Sequence, residues 1–137
     1  MIFSLIFILS SCIKEPPDFT GKYIIQNNSN HLIQINLYLY NEIKDSIILP
    51  INNYKEYTYS NRGGIPEPPP FSADSLMVTY DDSITIIHYK YQQQNVSRSL
   101  LLPSCWLANQ EKSTVFEYKY IFTNADYQEA IDNHLNR

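Results

Sequence analysis

The stretch "LIQINLYLY", Leu32 to Tyr40, allows very few folds. Ile33, Ile35, Leu37 and Leu39 alternate with Gln34, Asn36, Tyr38 and Tyr40. A period of two with one apolar face is an antiparallel strand that buries one side and wets the other. Weaker versions of the pattern recur along the chain. Lys22 to Gln26 reads as a strand, and Asn27-Asn28-Ser29-Asn30 as a turn, because Asn tolerates left-handed backbone. Ser46–Leu49 and Tyr54–Tyr59 read as short strands around a turn at Pro50 to Asn53. Leu76, Val78 and Tyr80 alternate with Met77 and Thr79. Asp81-Asp82-Ser83 then turns the chain, and Ile84, Ile86 and His88 alternate with Thr85, Ile87 and Tyr89, which makes a hairpin. Leu100 to Leu102 is a further candidate strand. Val115 to Phe122 closes the series with Phe116, Tyr118, Tyr120 and Phe122 on one aromatic face.

Composition agrees with this reading. Tyrosine is common, at 12 of 137 residues, and glycine is rare, at 3. Tyr, Ile and Thr suit pleated, half-buried surfaces. "NRGGIPEPPPF" interrupts the alternation and holds four of the eight prolines. It reads as a rigid crossover between two sheets, with Pro68-Pro69-Pro70 stiff and exposed. At the end the period changes. "TNADYQEAIDNHL" offers Thr123 or Asn124 as N-cap and Asp126 in the first turn, where a carboxylate suits the free amides. Tyr127, Ala130, Ile131 and His134 fall on one helical face. Seven to nine strands with turns every 8–12 residues, followed by a short C-terminal helix, define a mainly β chain. The expected fold is an antiparallel, immunoglobulin-like β-sandwich. No internal repeat is visible.

The other informative stretch is the opening, "MIFSLIFILSSCIKEPP". Ile2 to Leu9 is apolar apart from Ser4, and is too short for a hydrocarbon core that needs about 20 residues. It suits the core of a secretory signal that ends at small residues. Leu9-Ser10-Ser11-Cys12 resembles a bacterial lipobox. The small side chains admit a peptidase, and the Cys12 thiol can accept a diacylglyceryl group. Cleavage before Cys12 frees an amine for another acyl chain, and two or more chains anchor stably. The expected organisation is a signal at 1–11, lipidated Cys12 with a tether at 12–20, and one β-sandwich domain at 21–137. Pro16-Pro17 stiffens the tether. The alternative is a buried first strand that ends in an ordinary cysteine.

Lys and Arg number 10 against 14 acidic residues, a net charge of −4. That balance excludes nucleic acid as the expected partner, since phosphate binding needs a basic face. Of the two cysteines, Cys105 precedes Trp106 and Leu107 and reads as a small packed hydrophobe. If Cys12 is not lipidated, a Cys12–Cys105 bridge is open in an oxidising compartment. His31, His88 and His134 lack metal spacing. Asp81-Asp82 lacks the offset oxygen ligands of a calcium loop and reads as a turn. There is no phosphate-binding glycine loop and no nucleophile elbow. No cofactor, metal or catalytic residue is expected.

The chain resembles the small outer-membrane lipoproteins common in Bacteroidota. The resemblance is carried by the lipobox at Cys12, by "YIIQNNSNHLIQI", by "PFSADSLMVTYDD" and by "YKYIFTNADYQEA". It implies a β-sandwich on a lipid anchor in the cell envelope, at the periplasmic face or the cell surface, with no assigned activity. Asp45-Ser46-Ile47, Asp74-Ser75-Leu76 and Asp82-Ser83-Ile84 also resemble the O-glycosylation pattern of exported proteins in that group, which implies Ser46, Ser75 and Ser83 as sites. Asp-Ser before an aliphatic residue is equally how a turn enters a strand. The functional expectation is a lipid-anchored binding or assembly module, with Tyr38, Tyr40, Tyr57, Tyr59 and Trp106 as exposed aromatics for a protein or carbohydrate partner. The alternative is an enzyme or inhibitor, marked by a deep pocket with carboxylates or a histidine of shifted pKa.

Overall fold

The computed structural model describes residues 14–91 and 96–136. The expected signal at 1–11 and Cys12 lie outside these residues. Eight strands and one helix are present among the described residues: β1 (Asp18–Asn27), β2 (Ile33–Leu39), β3 (Glu42–Leu49), β4 (Tyr54–Arg62), β5 (Ser75–Tyr80), β6 (Ile84–Tyr89), β7 (Leu107–Lys112), β8 (Val115–Phe122) and α1 (Asn124–Leu135). One sheet has the order β4-β1-β8-β7 and the other β3-β2-β5-β6. The chain is a β-sandwich with a short terminal helix.

Alternation becomes layering. Ile33, Ile35 and Leu37 of β2, Leu76, Val78 and Tyr80 of β5, and Ile86 of β6 are buried from one sheet. Tyr23, Ile25, Tyr118, Tyr120 and Phe122 meet them from the other. Pairing is antiparallel throughout except between β1 and β8, which run parallel with Tyr23 beside Tyr118. β1 and β8 come from opposite ends of the sequence, so no hairpin constrains their relative direction.

The connections sort onto two ends. At one end lie the turn after β1, the β3–β4 turn, the β5–β6 turn and the start of α1. Here Asn27 Nδ2 donates to the carbonyls of His31 (2.8 Å) and Leu49 (2.9 Å), and its Oδ1 accepts from the Ser29 main chain and hydroxyl. His31 Nδ1 lies 2.5 Å from Asp81 Oδ2 and its ring stacks on Tyr127. Thr123 N donates to Asp126 at 2.7 Å, and Arg98 Nη2 holds the same carboxylate at 2.6 Å. The helix cap and the chain beyond residue 96 are therefore fixed together. At the other end lie the start of β1, the tip between β2 and β3, and the loop from β4 to β5. This is the crossover end.

Several expectations change. β1 begins at Asp18, so Asp18–Thr20, read as tether, is strand. Pro68 is buried rather than exposed, because the crossover folds under the open edge of the sandwich. Leu100–Leu102 is not a strand. Leu100 and Leu101 are buried in a turn where Ser99 Oγ accepts from Leu101 N, and a 3-10 turn follows at Pro103–Cys105. β7 carries no apolar alternation, since all six of its residues are exposed at a sheet edge. Trp106, expected at the surface, is 5% exposed and donates from Nε1 to the Leu100 carbonyl at 3.0 Å. Cys105 is a free, half-buried thiol packed on this core.

Tyr23 stands at the centre. It stacks on Tyr118 at 5.4 Å, meets Trp106 edge-on at 6.4 Å and tilts against Tyr59 at 5.9 Å. Its ring lies back over Gly21. A Cβ there would stand 2.5 Å from Tyr23 Oη and 2.8 Å from Cζ. Alanine in an ordinary strand gains about 0.5–1 kcal/mol over glycine. Here overpacking wins, because moving the Tyr23 ring aside breaks its contacts with Tyr118, Trp106 and Tyr59. Gly21→Ala is expected to cost about 1–3 kcal/mol in urea unfolding; a midpoint at or above that of the parent chain would show that Tyr23 does not rest on Gly21.

His88 on β6 is 4% exposed, and its Nδ1 accepts from Leu100 N at 3.3 Å. The ring is therefore neutral, with its proton on Nε2. Burial pushes its pKa down to about 4, while Asp126 pulls it up and Arg98 pulls it down. Above pH 6.5 the ring is neutral folded or unfolded. Below that the unfolded chain takes up a proton that the fold refuses. Stability falls by up to about 1.4 kcal/mol per pH unit from roughly pH 6.5 toward 4. Urea midpoints measured across that range are expected to fall more steeply for the parent chain than for His88→Gln, which keeps an acceptor without the titration. Parallel slopes would place the titrating group elsewhere.

Candidate functional site

The crossover end carries three adjoining cavities. The first, about 420 Å³, is lined by Tyr23, Tyr59, Glu67, the prolines at 68–70, Phe71, Ser72 and Lys90. The second, about 530 Å³, shares Ser72 and Lys90 with it and adds Leu39, Tyr40, Ala73, Asp74 and Tyr91. The third, about 210 Å³, shares Asp74 and Tyr91 and adds Asn41, Ser75 and Tyr89. Shared walls set them side by side as one cleft; the first two are each in the size range of ligand sites, and the third opens on the outer face of β5 and β6.

The crossover builds the floor. Residues 63–74 leave β4 in one sheet and enter β5 in the other, passing under Tyr23 and Tyr118. Asp74 then fixes the rim. Its N–H donates to the Tyr38 carbonyl at 3.0 Å, and its carbonyl accepts from Lys90 N at 2.9 Å. Its carboxylate accepts from Tyr40 N at 2.9 Å and from Ser75 Oγ at 3.2 Å. One residue thus joins three segments: the β2–β3 tip, the crossover and the end of β6.

Tyr40 is the unusual member. With Asn41 it forms the two-residue tip between β2 and β3, and both have positive φ, 53° and 62°. Such tips favour Asn and Gly. A tyrosine there is strained, and it is 83% exposed, so no packing compensates. The Asp74 carboxylate holds its amide. Tyr91, 81% exposed, stands on the far wall with Lys90 Nζ 5.4 Å from its ring centroid. Tyr59, 47% exposed, flanks the first cavity. Burial pushes the Tyr23 phenol, at the back of that cavity, up to about 12, with Tyr118 and Tyr59 adding to the shift. It is a neutral hydroxyl at any ordinary pH.

Of the five aromatics expected at the surface, the fold brings Tyr40 and Tyr59 into one cleft. Tyr38 points to the outer face of its sheet, in the row with Ser75 and Ile43. Tyr57 lies in a separate cavity of about 170 Å³ with Asp45, Ser46 and Lys55, and burial together with Asp45 pushes its phenol up to about 12. Trp106 belongs to the core. Sequence reading missed Glu67, Phe71, Asp74, Lys90 and Tyr91. The run Tyr89-Lys90-Tyr91 directly after a strand was the available signal, but its neighbours come from distant segments. Ser46 and Ser83 are exposed and Ser75 is half-buried. Ser46 Oγ donates to Asn36 Oδ1, and Ser83 Oγ lies 3.4 Å from the Tyr80 carbonyl. Ser75 and Ser83 each stand where a turn passes into a strand. His88, whose pKa is shifted, lines none of these cavities. Among the described residues no group of three or more His, Cys, Asp or Glu is placed to hold a metal ion.

Comparison with known proteins gives no matching family model, no matching curated protein and no matching solved structure.

Strain at Tyr40 has a measurable consequence. Asn accepts the left-handed backbone that Tyr resists, so Tyr40→Asn is expected to stabilise the fold by about 1 kcal/mol. Thermal and urea unfolding read this directly. A lower urea midpoint for the variant would mean that the ring stabilises the tip after all.

Proposed function

We propose that the chain is a lipid-anchored cell-envelope lipoprotein, attached to the outer membrane through acyl chains on Cys12, and that it acts as a binding module whose contact surface is the crossover-end cleft. The observation that carries the binding half is the strained, exposed Tyr40, held over the cleft by Asp74. Local strain that nothing in the core requires is a mark of a functional position. The rest of the rim agrees: rigid phenol rings, two carboxylates and one ammonium group converge on a groove in a site of ligand size.

The anchoring half is supported by "LSSC" after an apolar run. The fold adds a geometric point. Pro17 accepts from Gly63 N at 3.2 Å, at the mouth of the crossover, so the chain enters the sandwich at the end that carries the cleft. The five residues that follow Cys12 span at most roughly 18 Å. Lipidation of Cys12 would turn the cleft toward the bilayer that holds the anchor, and the ligand would be a component close to the membrane surface.

Two measurements test the two halves separately. In a bacterial host fed a labelled fatty acid, the full chain is expected to take up label and enter the detergent phase, and Cys12→Ala to lose both. Label that persists in Cys12→Ala, or never appears, removes the anchor. For the cleft, Cys12→Ala, which carries no acyl chains to hold it in a membrane, is expected to be retained on an envelope fraction, and the same chain with Tyr91→Ala to be retained at least tenfold less. Equal retention removes the cleft as contact surface and leaves the anchor standing.

A further inference from the structure

We propose that the cleft binds an uncharged saccharide chain laid across Tyr59, Tyr40 and Tyr91. The inference rests on the reading of the chain as a binding module and gives its ligand a chemical class.

Three features point this way. First, the exposed rings are stiff and only partly apolar. A sugar ring presents a face of C–H groups ringed by hydroxyls. A phenol ring covers that face, while Glu67, Asp74 and Lys90 line the same cavities as acceptors and donor for the hydroxyl edge. Second, the cleft is a series. The first cavity shares Lys90 with the second, and the second shares Asp74 with the third, so the groove suits an extended chain of repeating units rather than one compact molecule. Third, the lining disfavours the two obvious competitors. Two carboxylates against one ammonium repel a polyanion. A peptide added as a strand needs free main-chain donors and acceptors along an edge. At this rim the Asp74 N–H, the Asp74 carbonyl and the Tyr40 N–H are already paired within the fold. The side chains that line the cleft are of the kinds that suit hydroxyls and C–H faces.

The test has two arms. In the first, the full chain is titrated by calorimetry with neutral hexasaccharides of 4-linked β-glucose, 4-linked α-glucose and 4-linked xylose, each of which keeps a vicinal diol in every unit, and with polygalacturonate as an anionic control. Binding of at least one neutral hexasaccharide is expected, weakened tenfold or more by Tyr91→Ala and by Tyr40→Asn. Because Tyr40→Asn relieves strain, a loss there does not come from a damaged fold. Tyr54→Ala changes an exposed tyrosine on β4 that lines none of the three cavities, and it is expected to bind within twofold of the parent. In the second arm, the envelope fraction is treated with periodate, which cleaves vicinal diols, or with protease, before retention is measured. Loss on periodate alone is expected. Prior extraction with organic solvent then distinguishes a glycolipid headgroup, which it removes, from a free polysaccharide, which stays. Retention that survives periodate and is lost to protease overturns the saccharide and leaves the binding module with a protein partner. Stronger binding of polygalacturonate than of any neutral chain overturns the assignment of charge. No hexasaccharide binding together with no retention on any fraction overturns both readings at once.

Discussion

Tyr23 over Gly21 is the contact on which both the fold and the cleft depend. The ring fills the space that a side chain at Gly21 would need. From that position it reaches Tyr118 in the same sheet, Trp106 beneath and Tyr59 at the edge. Aromatic contacts of this kind add about 0.5–1.5 kcal/mol each beyond the area they bury. Their larger effect is geometric. Tyr23 couples the parallel pairing of β1 and β8 to the edge strand β4, and its hydroxyl end forms the back of the first cavity. The floor of the cleft is therefore part of the core rather than a loop attached to it.

The crossover makes the second coupling. It carries the chain from one sheet to the other, which any sandwich of this topology must do. In doing so it buries Pro68 and brings Asp74 against the β2–β3 tip and the end of β6. Each main-chain group of Asp74 is used, and its carboxylate is used twice. Residues so tied cannot move singly, so the rim is preorganised. A rim whose main chain is already tied loses less backbone entropy when a ligand arrives. The opposite end uses its polar groups differently. Asn27, the His31–Asp81 pair and the Arg98–Asp126 pair hold turns and the helix cap to one another. That end fixes the fold, and the crossover end presents a surface.

How far the sequence could be read follows from which interactions are local. β2, the hairpin of β5 and β6, and β8 were legible because each alternates against a single buried face. The capping of α1 by Asp126 was legible because a cap spans only a few residues. The crossover was legible because prolines and glycines cluster there. β7 was not, since an edge strand exposed on both faces carries no alternation. The Leu100–Leu101 segment was misread because an apolar pair in a buried turn looks like a short strand. Trp106 was misread for the related reason that sequence does not tell a buried ring from an exposed one. The cleft was half legible: Tyr40 and Tyr59 stood out, while Glu67, Asp74, Lys90 and Tyr91 did not.

By itself the sequence determined the β class, the two-sided strands, the position of the crossover and the helix with its cap. Each of these is written within a few consecutive residues, where backbone preference and the period of burial act directly. Only the tertiary structure decided that β1 and β8 run parallel, that Pro68 and Trp106 are inside, and that Tyr40, Tyr59 and Tyr91 share one groove. Those outcomes depend on which distant strands pair and on how the crossover closes beneath them. Such pairings are set by the packing of the two sheets as a whole, and no local stretch of sequence records them.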